Sequence, residues 1–147
     1  MFSGNDGAGL YTTTNGGGLW TSDPGITNTN ALSLSLATIG TNIFAGVFGG
    51  GVYLSTNNGS GPWTPVNSGL PSTSINALAT GGTTVFVGTY ADGVYRSTNN
   101  GTSWTAMNTG LTNLNVTSFA ISGTTIYAGT FGGGVFPMFF LFNVSYY

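Results

Sequence analysis

The feature that most constrains this chain is that it repeats itself with a period near 42 residues. The strings "GLYTTTNGGGLWT" (Gly9–Thr21), "GVYLSTNNGSGPWT" (Gly51–Thr64) and "GVYRSTNNGTSWT" (Gly93–Thr105) are copies of one segment. Their flanks repeat too: "TNIFAGVFGGGVY", "TTVFVGTYADGVY" and "TTIYAGTFGGGVF" run through successive copies, and "WTPVNSGL" and "WTAMNTGL" close two of them. Phe2, Phe44, Phe86 and Tyr127 therefore mark four starts, spaced 42, 42 and 41 residues apart. One extra residue before Trp63 moves that tryptophan out of strict phase.

A fixed period of this length, without helical apolar spacing, predicts repeated antiparallel β units. Each unit has room for four strands, expected near Val116–Ile121, Thr125–Phe131 (with counterpart Thr84–Tyr90), Val94–Thr98 and Trp104–Asn108. Clusters such as "STNNG" and "NSGLPSTS" fall between them, where turns need positive φ and side chains that bond the backbone. Alternation supports the first strand, with Leu32, Leu34 and Leu36 on one face and Ala31, Ser33 and Ser35 on the other. The small face suits a crowded place near an axis. The expected fold is all-β, with β-propeller-type four-stranded blades: three full repeats and the start of a fourth over residues 1–136.

Composition narrows the function. The chain has 147 residues, enough for one domain with a core. It carries a single basic residue, Arg96, three aspartates (Asp6, Asp23 and Asp92), no glutamate, no histidine and no cysteine. A net charge of −2 offers no basic stripe for phosphate, so nucleic-acid and anionic-membrane partners are not expected. No thiolate, imidazole or carboxylate cluster is at hand for a nucleophile, a metal or a cofactor. No basic region followed by an apolar run opens the chain, and the run Val135–Phe142 is broken by Pro137 and far below the roughly 20 residues of a membrane helix. No signal peptide or membrane span is therefore expected.

The segments Thr13–Trp20, Ser55–Trp63 and Ser97–Trp104 resemble the Asp-box, or BNR repeat, a Ser-x-Asp-x-Gly-x-x-Trp hairpin of sialidases, sortilin-type receptors, some glucanases and many secreted bacterial propellers. The resemblance runs to Phe136, with one systematic departure: Asn15, Asn57 and Asn99 stand at the Asp position. It implies structural box positions at Asn15, Gly17 and Trp20, at Asn57, Gly59 and Trp63, and at Asn99, Gly101 and Trp104. It also implies an extracellular or cell-surface setting. Sialidase chemistry in that family uses an arginine cluster with acidic and tyrosine residues, which one arginine and no glutamate cannot supply. A paired-carboxylate glycosidase needs two acids at a set separation, and the three aspartates do not repeat. The chain is therefore expected to be no enzyme.

Trp20, Trp63 and Trp104 are expected to pack against their own turns rather than to stack on sugars, because burial of an indole removes a large apolar area from water. The box asparagines are expected to bond backbone N–H groups inside the turn. Sequons at Asn58, Asn100, Asn115 and Asn143 are candidate glycan sites, two of them at equivalent turn tips.

After Phe136 the repeat breaks into "PMFFLFNVSYY", in which Met138, Phe140, Phe142, Val144 and Tyr146 form one apolar face. Residues 137–147 are read as a strand donated to a neighbouring subunit, since such a strand left exposed would aggregate. Deleting them should then abolish assembly and leave the repeats β-structured. The leading expectation is a non-catalytic extracellular structural protein, whose ring is completed or extended by association into a homo-oligomer or filament. The other is a secreted propeller module, part of a larger Asp-box protein, that binds glycan or protein.

Overall fold

A computed structural model of the chain describes residues 2–5, 9–23, 25–26 and 34–140. The first sheet holds β1 (Phe2–Asn5), β2 (Gly9–Thr12) and β3 (Thr21–Ser22). The second holds β4 (Leu34–Ile39), β5 (Asn42–Val47), β6 (Gly51–Ser55) and β7 (Thr64–Pro65). The third holds β8 (Ile75–Gly81), β9 (Thr84–Thr89), β10 (Val94–Ser97) and β11 (Thr105–Ala106). The last holds β12 (Val116–Ser122), β13 (Thr125–Thr130) and β14 (Gly134–Phe139). Each sheet is an antiparallel meander in chain order, and its register repeats: Phe44 stands opposite Leu54 as Phe86 stands opposite Arg96. Among the described residues there is no helix long and apolar enough to cross a membrane.

Alternation along each strand sends one set of side chains toward the preceding sheet and the other toward the next. Three apolar layers result. Leu10 and Ile26 of the first repeat meet Ile43, Ala45, Val47 and Trp63 of the second. Phe44 and Val52 of the second meet Ile75, Val85, Val87 and Trp104 of the third. Phe86 and Val94 of the third meet Val116, Ile126, Ala128, Met138 and Phe140 of the last.

Two glycines set the spacing between the sheets. A Cβ on Gly46 of β5 would lie 2.6 Å from Cγ2 of Ile75, and one on Gly88 of β9 would lie 2.6 Å from Cγ1 of Val116. The repeated Ala-Gly, Val-Gly step thus lets the inner strand of the next sheet press directly on the backbone. The small face of the first strand follows the same logic: Ser35 stands opposite Gly46, facing the next sheet, while Leu34 and Leu36 pack into the first layer. Ala31, Leu32 and Ser33 lie outside the described residues.

The end of the chain differs from the sequence reading. β14 runs unbroken through Pro137, which stands opposite Tyr127 on this edge strand, where a missing N–H is tolerated. No boundary therefore separates residues 136 and 137. Met138 and Phe140 lie within the chain's own third layer, 5% and 2% exposed, rather than on a face offered to a neighbour. Phe140 packs edge-on against Phe86 with ring centroids 4.8 Å apart, over Gly81, whose missing Cβ leaves the room. In the third repeat the box that begins at Ser97 turns the chain after β10. Met138 replaces that serine in the last repeat, and the strand carries on into the apolar layer instead. Phe142, Val144 and Tyr146 lie outside the described residues.

Candidate binding cleft

The box hairpins are held by their own polar side chains. In the first, the Thr13 hydroxyl donates to Asn15 Oδ1 (2.8 Å) and accepts from the Gly17 N–H (3.1 Å), while Asn15 Oδ1 also accepts from the Leu19 N–H (2.9 Å). The third repeats this with Ser97, Asn99, Gly101 and Ser103 at 2.8 to 3.0 Å. The middle box, with its extra residue, is different: the Ser55 hydroxyl reaches the Gly61 carbonyl at 3.5 Å, and Asn57 is exposed. Positive φ falls on Gly16 and Gly17, on Asn58 and Gly59, and on Asn100 and Gly101, which is why this turn is written Asn-Gly or Gly-Gly.

Trp63 and Trp104 do more than cover their own turns. The Trp63 indole N–H donates to Asp23 Oδ2 (3.3 Å) and the Trp104 indole N–H to the Val66 carbonyl (2.7 Å), so each indole is bonded to the residue just past the outer strand of the preceding sheet. They are 6% and 5% exposed, whereas Trp20 is 36% exposed. Asn58 and Asn100 sit exposed at turn tips. Asn115 does not: it is half-buried, and its Oδ1 accepts from Asn76 Nδ2 (3.3 Å). Asn143 lies outside the described residues.

A second set of repeated residues lines a cleft of about 430 Å³ on one rim of the sheets. Phe48, Tyr90 and Phe131 each follow directly on β5, β9 and β13, at one position of the repeat. Their turns are tied down by the backbone: Tyr90 N–H donates to the Ser74 carbonyl (3.0 Å) and Phe131 N–H to the Asn115 carbonyl (2.9 Å). Phe48 and Tyr90 meet edge to face, 5.7 Å apart at 87°. Tyr90 is 54% exposed and Phe131 73%, so two broad ring surfaces stand open beside the amides of Asn76 and Asn115 and the hydroxyl of Thr117. The Asn76 amide also donates to the Val116 carbonyl (3.0 Å), which fixes it between two sheets.

The lining carries no ionisable carboxylate or base. Asp92, one turn away, has its backbone N–H held by the Thr89 hydroxyl (2.9 Å). Burial, and secondarily the charge of Asp92, raises the Tyr95 phenol above its ordinary range, so Tyr95 stays neutral around pH 7 and would lose folding stability only in strong alkali. The cleft can therefore hold a neutral ligand by ring faces and amide hydrogen bonds. Of its residues only Asn115 stood out in the sequence, and as a sequon rather than as part of a cleft. The signal was present in "GVFGG", "GTYAD" and "GTFGG", where the residue after the glycine-containing strand is aromatic in all three copies.

No family model and no curated protein matches the chain. Solved structures do. An ancestral GH74 enzyme matches with TM-score 0.73 and 24% identity over 93% of this chain, and YCF48 bound to D1 peptide with TM-score 0.66 and 17% identity over 88%. The extracellular domain of the hybrid two-component system BT4673 from B. thetaiotaomicron matches with TM-score 0.55 and 18% identity over 82%. These are β-propeller proteins, and the likeness establishes the fold: the sheets are propeller blades. The chain spans 21%, 44% and 18% of those three proteins' own lengths.

Proposed function

We propose that this chain is a non-catalytic, extracellular β-propeller module that binds a neutral saccharide in the cleft of Phe48, Tyr90 and Phe131. The observation that carries the reading is that one repeat position supplies three aromatic rings to one rim, next to fixed amides and without a charge. Flat ring faces suit the C–H faces of pyranoses, and amides and hydroxyls suit their ring hydroxyls. An extracellular setting draws support from the BT4673 domain, which is extracellular, and from exposed sequons at Asn58 and Asn100. The absence of catalysis draws support from the composition and from the uncharged cleft. Assembly through Met138 and Phe140 is no part of the reading, because both are core residues.

Calorimetric titration against a panel of neutral oligosaccharides tests it. Tyr90→Ala should weaken binding about tenfold or more at an unchanged melting temperature, as expected for an exposed ring that contributes to the ligand and not to the core. Binding unaffected by Tyr90→Ala would remove the cleft from the function. Affinity for extended peptides but no sugar would replace the saccharide by a protein segment, the kind of ligand named for YCF48. The same mixtures, followed by chromatography, should show no cleavage products, and turnover abolished by Asp92→Asn or Asp23→Asn would overturn the non-catalytic assignment.

A further inference from the structure

The two buried tryptophans define a socket, and the third repeat carries a socket that no tryptophan of the described chain enters. Trp63 lies on Asp23 and Gly25, and a Cβ on Gly25 would run into its ring. Trp104 lies on Val66, and a Cβ on Gly69 would come within 2.6 Å of its carbonyl oxygen. Asp23, Val66 and Met107 are equivalent, since their N–H groups bond the carbonyls of Leu10, Val52 and Val94 at 2.8 Å. Met107 should thus carry the next tryptophan, yet the last repeat reads "PMFFLFNVSYY" where the box would be. Around Met107 there is instead a cleft of about 380 Å³, lined by Arg96, Ala106, Met107, Thr109, Pro137 and Phe139 among others. A Cβ on Gly110, the counterpart of Gly69, would meet nothing within 4 Å.

At the other end of the described chain stands a box tryptophan with no socket beneath it. Trp20 has the same hairpin as Trp104, but it is 36% exposed, its neighbour Leu19 is 64% exposed, and nothing among the described residues accepts from its indole N–H. The surfaces of the last sheet are unmatched in the complementary way. Val135 is 67% and Tyr127 38% exposed, while Val52, Val94, Phe44 and Phe86 at the equivalent positions are wholly buried by the following sheet. The chain itself therefore shows what covers such surfaces: another repeat, led by its tryptophan.

We infer that the cleft at Met107 is an indole-binding socket filled by Trp20 of a second copy of this chain, a head-to-tail contact in which the indole N–H donates to the Met107 carbonyl. Such a contact is heterologous, so it builds a ring when its rotation closes and a row when it does not. It is separate from the saccharide cleft, whose lining shares no residue with it.

Sedimentation velocity on the full chain over a wide concentration range tests this. The wild type should associate reversibly, and Trp20→Ala should weaken association about tenfold or more without lowering the melting temperature, as should Phe139→Ser on the socket side, where the ring is 77% exposed. Mixing the two variants is the decisive arm. Trp20→Ala keeps a sound socket and Phe139→Ser keeps a sound tryptophan, so the mixture should form dimers that neither forms alone. A wild type that stays monomeric, a Trp20→Ala chain that associates normally, or a mixture that does not dimerise would each overturn the proposal. So would a chain ending at Phe140 that loses association while Trp20→Ala keeps it, because residues 141–147 would then be the occupant.

Discussion

Truncating Trp104 to alanine should lower the unfolding free energy by about 3–5 kcal/mol, a drop in melting temperature on the order of 10 °C. The ring is 5% exposed in the layer between the second and third sheets, against Phe44, Val52, Val85 and Val87. Its removal leaves a cavity that the sheets cannot readily close, because Gly69 and Gly101 are already packed against Trp104 and Val66. It also orphans the Val66 carbonyl, which accepts from the indole at 2.7 Å. Trp104→Phe should recover much of the packing but not that bond, and so fall between. Trp20→Ala should barely shift the melt, since its equivalent ring lies in the open. Equal losses at Trp20 and Trp104, measured by thermal or denaturant unfolding, would mean that each tryptophan serves its own hairpin and not the joint between blades.

How much of this was legible in the sequence depends on which contacts the repeat encodes. Pairing within a blade is local and periodic, so the strands fell close to expectation: β12 as Val116–Ser122 against Val116–Ile121, and β9 as Thr84–Thr89 against Thr84–Tyr90. The box turn was legible because its chemistry is contained in a few residues, Ser97, Asn99 and Gly101. Contacts between blades were not. Trp104 meets Val66 and Trp63 meets Asp23, partners 38 and 40 residues back, and nothing local marks them. The glycines at 46 and 88 were the available sign, since a glycine fixed in mid-strand signals close backbone approach. The aromatic rim was missed for another reason. Phe48, Tyr90 and Phe131 read as strand ends, and only the bend after each strand turns them outward into one cleft.

Met138 and Phe140 were read as part of a face for a neighbour because an apolar strand without a visible partner looks like one that needs a foreign partner. Both pack on the preceding blade. Phe140→Asp should accordingly destabilise the fold itself, by about 5 kcal/mol or more, and not merely weaken association. The substitution removes an aromatic ring, a loss of about 3–5 kcal/mol on its own, and places a carboxylate in an apolar site at a further desolvation cost. The site is the third layer, where Phe140 is 2% exposed against Phe86, Ile121 and Gly81 and has its N–H bonded to the Thr124 carbonyl (3.0 Å). Removal of Pro137–Tyr147 should act the same way, because it takes half of β14 and both Met138 and Phe140 from that layer. Amide hydrogen exchange locates the damage: protection should fall first across β12 to β14, next in the third sheet, and least in the sheets beyond it. If Phe140→Asp instead melted like the wild type and only lowered the sedimentation coefficient, Phe140 would be an assembly residue after all, and the packing of Phe140 on Phe86 would contribute nothing to the blade.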